Sequence, residues 1–211
     1  MITLAAFSFI ELMDRGGVVM WPLLALSIIA VTLIIERTFF FVRTNGSARR
    51  DRTDQLARML RAGEDEQAKS QANRDHSIYG DAVSRLLLEK RSESAAVDAV
   101  EAQRTRLERF LPMLSTIITA APMLGILGTV IGIIGAFNEL SSNRADLDLS
   151  DLGGDIGQAL ITTAAGITVA LVTLLPYNLF RAQADRSLSR LESLVAAGLS
   201  RPEQPSADRE V

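Results

Sequence analysis

The sequence predicts an all-α membrane protein. It is expected to have three transmembrane helices, N-terminus outside and C-terminus inside, with the second and third extended into long cytoplasmic helices, in an oligomeric bundle. Three observations predict it. First, Gly16–Ile35, Phe110–Asn138 and Ile156–Phe180 hold no Asp, Glu, Lys or Arg, so all 22 basic and 25 acidic residues lie elsewhere. A span needs about 20 apolar residues, and a buried helix in a soluble protein rarely runs so long without charge. Second, arginines gather on one side of these stretches and acids on the other. Third, the second and third stretches carry small residues that let helices approach closely.

The elements follow in order. Residues 1–15 are apolar but lack a cationic leader and contain Glu11 and Asp14. They are expected to stay on the protein as a short interfacial helix through Phe7, Phe9, Ile10 and Met13. The first span is residues 16–42. Trp21-Pro22 opens it, with the proline in the first turn, where its missing N–H costs little.

Residues 43–109 form a cytoplasmic helical region, in which Leu56, Met59, Leu60, Val83, Leu86, Leu87, Val97, Val100 and Leu107 recur at helical spacing. Gly63 and Asn73–Ser77 are the expected breaks. From Ser92 onward the pattern predicts one uninterrupted helix leading into the second span, residues 110–140. A periplasmic loop is expected over 141–155 and the third span over 156–180. Residues 181–211 read as a cytoplasmic helix with a polar tail. Pro122 and Pro176 should bend their helices locally.

Orientation follows from arginine placement. Arg37, Arg43, Arg49, Arg50 and Arg52 follow the first span, Arg104, Arg106 and Arg109 precede the second, and Arg181, Arg186 and Arg190 follow the third. The connection from Glu139 to Asp155 holds five acids and only Arg144. The positive-inside rule puts the large loop and the C-terminus in the cytoplasm.

Composition narrows the function. With no cysteine and one histidine, His76, the chain lacks the raw material for thiolate metal sites, zinc hydrolases and His-based triads. No cofactor or metal site is expected. A net charge of −3 gives no basic excess for nucleic acid. No span carries paired aspartates or another catalytic set, so an enzyme is not expected.

The spans themselves say more. Gly125, Gly128, Gly132 and Gly135 fall within eleven residues of the second. Gly128-x-x-x-Gly132 is a small-xxx-small face, accounted for by helix packing alone. On the third, Asp155, Gln158, Thr162, Gly166 and Thr173 lie within roughly 80° of one another on an ideal helix. Such a stripe faces a bundle interior or a wet cavity. Interhelical hydrogen bonding and an ion-lined interior both account for it.

The segments GGVVMWPLLALSIIAVTLIIER (Gly16–Arg37), APMLGILGTVIGIIGAF (Ala121–Phe137) and ALITTAAGITVALVTLLPYN (Ala159–Asn178) resemble the MotA/TolQ/ExbB proton channel family, in its ExbB/TolQ branch. The resemblance covers all three spans in order, with the cytoplasmic insertion between the first two. It implies a homopentamer in the bacterial inner membrane surrounding a single-span partner like ExbD or TolR, whose aspartate carries protons. A transducer such as TonB or TolA would receive the work.

By position, Thr129 and Thr163 match pore-lining threonines, and Gln158 and Thr162 join them as candidates for the proton path. Gly125, Gly128, Gly132, Gly166 and Pro122 are the candidates for helix packing. Gln158 departs from the family pattern, where a glutamate opens the motif E-A-L-(I/L)-(A/T)-T-A. On an ideal helix Thr162 is about 40° from Gln158 and Thr163 about 140°, so Thr163 is the one expected to turn toward a neighbouring helix. The family also includes energisers of gliding and other motility, and the glutamine leaves a non-conducting scaffold subunit as a third alternative.

Overall fold

A computed structural model describes residues 17–44, 46–75, 77–89, 91–142 and 149–200. Among them the structure is helical throughout, with no strand: α1 Met20–Thr44, α2 Ser47–Ala62, α3 Asp65–Arg74, α4 Ile78–Leu88, α5 Glu93–Glu108, α6 Leu111–Ser142 and α7 Leu149–Leu199. The expected interfacial segment 1–15, His76, the middle of the 141–155 loop and the tail from Arg201 lie outside the described residues.

Contacts divide the chain into two compact units. One comprises Met1–Glu36 and Phe110–Asn178, the other Arg37–Arg109 and Leu179–Val211.

The first unit packs the start of α1 against α6 and α7. Val19, Met20, Leu23 and Ala121 are buried together, with Leu26, Leu124, Ala165 and Val169 packed on them. Little of the remaining apolar surface is covered by the chain itself. The most apolar windows of the three long helical stretches are only 17%, 22% and 28% buried. Helices apolar all round need lipid or other protein on the remaining faces. All three stretches are long and apolar enough to cross a membrane.

The second unit contains α2 to α5 with the ends of α1 and α7. Gly63 ends α2 in a left-handed conformation at φ 76°, its N–H bonding the Leu60 carbonyl. Ser77 and Ser92 cap α4 and α5, accepting from the N–H groups of Gly80 and Ala95. The α7 residues Phe180, Ala184, Ser187, Leu191 and Leu194 are buried at alternating spacings of four and three, the repeat of a helix packed along its length. Phe180 stacks on Phe41, ring centroids 5.7 Å apart. Arg37 is almost fully buried, donates to the Arg106 carbonyl at 3.2 Å and lies over the Phe40 ring.

Two boundaries differ from expectation. The helix expected to run unbroken from Ser92 into the second span is two helices: α5 stops at Glu108, Phe110 sits at φ 70°, and α6 starts at Leu111. Pro112 is the cause. It has no N–H for the Glu108 carbonyl four residues back, and its ring crowds that oxygen. The third helix starts at Leu149 rather than after Asp155, and the second continues to Ser142. Leu149–Asp155 holds no proline, and Gly153 and Gly154 cost about 1 kcal/mol each in a helix, which the 51-residue α7 tolerates. Both α6 and α7 continue through their prolines, Pro122 and Pro176.

Candidate functional site

The candidate site is the contact between α6 and α7 in the first unit. Small residues allow it. A Cβ placed on Gly125 would lie 2.9 Å from the Thr163 Cα and 3.0 Å from the Thr162 carbonyl oxygen. One placed on Gly128 would lie 2.6 Å from Thr162 Oγ1, and one on Gly166 would run into the Ala121 carbonyl oxygen. As α6 advances from Ala121 to Gly128, the opposing position on α7 retreats from Gly166 to Thr162, so the two helices pass antiparallel, backbone on backbone. Gly132 is half-buried, whereas a Cβ on Gly135 would meet nothing within 4 Å. Pro122 is half-buried inside α6.

The threonines use their hydroxyls differently. Thr129 donates to its own Ile126 carbonyl at 2.7 Å, Thr162 to Ala159 at 2.6 Å and Thr173 to Val169 at 2.7 Å, the local bonding by which threonine satisfies itself inside a helix. Thr163 instead reaches across the pair and donates to the Gly125 carbonyl at 2.8 Å.

The expectation that Thr163 turns toward a neighbouring helix describes this bond. Thr162, although about 100° round the helix from it, also touches α6, buried to 1% exposure against Gly128. Backbones this close let adjacent positions both meet the facing helix. Thr129 and Thr163 are half-buried. Gln158 lies on α7 with its side chain outside the described set, as does that of Asp155.

Chemically the pair is sparse. Phe110–Asn138 and Ile156–Phe180 offer hydroxyls, one glutamine amide and an asparagine near the C-terminal end of each stretch, Asn138 and Asn178, but no acid, lysine, arginine or histidine. The contact can hold a hydrogen-bonding wall in place; it supplies no carboxylate or imidazole of its own. Sequence reasoning did not find the reach of Thr163 to one particular carbonyl. The signal was there in part, since Gly125 is the α6 position whose missing side chain exposes that oxygen.

Residues 51–193 match the MotA/TolQ/ExbB proton channel family. The chain is 34% identical over 171 residues to the ExbB-like 3 biopolymer transport protein of Synechocystis, covering 79% of this chain and 81% of that one. It is 27% identical over 197 residues to the biopolymer transport protein exbB1 of Vibrio cholerae, covering 86% and 83%. Over 92 residues it is 33% identical to the Tol-Pal system protein TolQ of Pseudomonas aeruginosa, covering 44% of this chain and 39% of that one. With three helices long and apolar enough to cross a membrane, the chain is a multi-pass membrane protein and belongs to the MotA/TolQ/ExbB proton channel family, in its ExbB/TolQ branch.

Proposed function

We propose that this protein is the channel-wall subunit of a proton-driven energiser of envelope transport in the bacterial inner membrane. The observation that carries the reading is the α6–α7 pair, a close-packed, hydroxyl-bearing wall without a titratable acid, lysine, arginine or histidine over Phe110–Asn138 or Ile156–Phe180. A proton crossing such a region needs a carrier from another chain. A single-span partner like ExbD or TolR, carrying an intramembrane aspartate, meets that need.

In this reading several copies of the chain, five by analogy with the family, surround the partner helices. The N-terminus is outside, the large loop and C-terminus are cytoplasmic, and residues 141–155 form the periplasmic connection. Thr129 and Thr163 stand on the wall beside the partner carboxylate, where their hydroxyls accept from it when it is protonated and, by releasing the Ile126 and Gly125 carbonyls, donate to it when it is ionised. Gln158 adds an amide on the α7 polar stripe. Thr162, behind the wall at Gly128, sets the spacing of the pair.

Each proton entering down a 100 mV potential releases about 2.3 kcal/mol, enough for a few protons to switch a bistable helix pair. The output is motion of the partner, delivered to a transducer of the TonB or TolA kind, with no covalent product.

The test is energised transport in cells lacking the native gene. Thr129→Val and Thr163→Val should assemble with the partner but fail to support transport; normal transport by both would reject the wall assignment. A second reading, a non-conducting scaffold subunit, is favoured by Gln158 standing where the family motif has a glutamate.

A further inference from the structure

The second unit contains a cavity that the channel reading leaves without a role. It has a volume of about 390 Å³ and is bordered by Thr53, Asp54 and Arg61 of α2, Tyr79 of α4 and Arg190 of α7. Tyr79 is 3% exposed, and its hydroxyl makes no hydrogen bond among the described residues. A buried hydroxyl without a partner is costly, and few are left so without cause. Arg61 and Arg190 likewise form no ion pair among the described residues. Two guanidinium groups and a phenol therefore border one cavity with donors to offer, against the single carboxylate of Asp54.

The guanidinium fork matches phosphate oxygens two at a time. A cavity of this size suits a small organic phosphate or a lipid headgroup better than a bare monatomic ion. We propose that this cavity binds a phosphate-bearing anion, gripped by Arg61 and Arg190, with the Tyr79 hydroxyl as a third donor. The anion comes either from solution or from the headgroup of an anionic phospholipid, and the test separates the two.

The full-length protein in phosphatidylcholine nanodiscs is titrated with pyrophosphate by calorimetry. A parallel sample from nanodiscs containing phosphatidylglycerol is delipidated and its retained lipid counted by native mass spectrometry. Saturable pyrophosphate binding is expected, weakened about tenfold or more by Arg61→Gln and by Arg190→Gln. Arg58→Gln, at an exposed α2 position outside the cavity, should leave it unchanged, and Asp54→Asn should tighten it by removing the opposing charge.

Tyr79→Phe should weaken binding without lowering the melting temperature, because it removes a hydroxyl that has no partner. Phosphatidylglycerol retained by the wild type and lost from both arginine variants would assign the same site to a lipid headgroup. Arg61 is exposed, so its variant tests binding without threatening the fold. If neither anion is held, or if binding is indifferent to both arginine substitutions, the proposal is overturned.

Discussion

The Thr163 hydroxyl donates to the Gly125 carbonyl oxygen at 2.8 Å, and a side chain on Gly125 would begin 2.9 Å from the Thr163 Cα. The two facts are coupled. The hydroxyl reaches the facing helix because that helix has no Cβ there, and a methyl group would push the bond apart while crowding the backbone.

Glycine substitutions along α6 should therefore divide by position. Gly125→Ala is expected to destabilise by about 1–3 kcal/mol through overpacking, as is Gly166→Ala, whose methyl meets the Ala121 carbonyl. Gly135→Ala, in open space, should be neutral or stabilise by up to about 1 kcal/mol through helix propensity. Thermal denaturation in detergent followed by circular dichroism measures both. Equal effects at Gly125 and Gly135 would contradict the packing.

Thr163→Val keeps the shape and removes the donor. Interhelical hydrogen bonds in membranes average about 0.6 kcal/mol, so the melting temperature should fall only slightly. If the hydroxyl also serves the proton path, energised transport should be lost far out of proportion to stability, and Thr163→Ser should restore it. Parallel melts and transport assays on the two variants decide this.

Much of this architecture is legible in sequence because the bilayer imposes a coarse rule: a helix without charge for 20 or more residues has few soluble explanations. The close approach at Gly125 and Gly128 is legible for the same reason, since small residues at a spacing of three or four have a packing consequence. The detail is less so. The break before α6 was available in Pro112, but it required locating the carbonyl four residues back at Glu108, where the pattern from Ser92 onward otherwise reads as continuous helix. The partner of Thr163 was not available at all, because one hydroxyl can bond its own helix or another, and the choice depends on a distance set by glycines 38 residues away. The cavity beside Tyr79 joins α2, α4 and α7, and no local pattern announces it.

At the corner between α3 and α4, Asp75 accepts from the Ser77 N–H and hydroxyl, and the Ser77 hydroxyl in turn accepts from the Gly80 N–H. Ser77→Ala should cost about 1 kcal/mol as a lost cap. Gly80→Ala should cost more, because its methyl would collide with the backbone carbonyls of Asp75 and Ala72. Urea or thermal unfolding read on the whole protein checks the order. A Gly80→Ala variant as stable as the wild type would refute the corner as described.

Arg37 is nearly fully buried, lies over the Phe40 ring and is bonded to the Arg106 carbonyl. Arg37→Gln should destabilise by about 2–3 kcal/mol, since a hydrogen bond from a charged group and a buried acceptor are both affected. Arg37→Lys should recover little, because an ammonium lacks the planar fork. Melting temperatures of the two variants provide the check.

In the proposed function, protons cross along a wall that contains no acid of its own over Phe110–Asn138 or Ile156–Phe180. The most direct test is proton flux into liposomes holding this protein with its single-span partner, measured with a pH-sensitive dye under an imposed membrane potential. Flux is expected with Gln158 in place, abolished when the partner's intramembrane aspartate is replaced by asparagine. No flux until Gln158→Glu is introduced would contradict the proposed function and make the natural chain a scaffold.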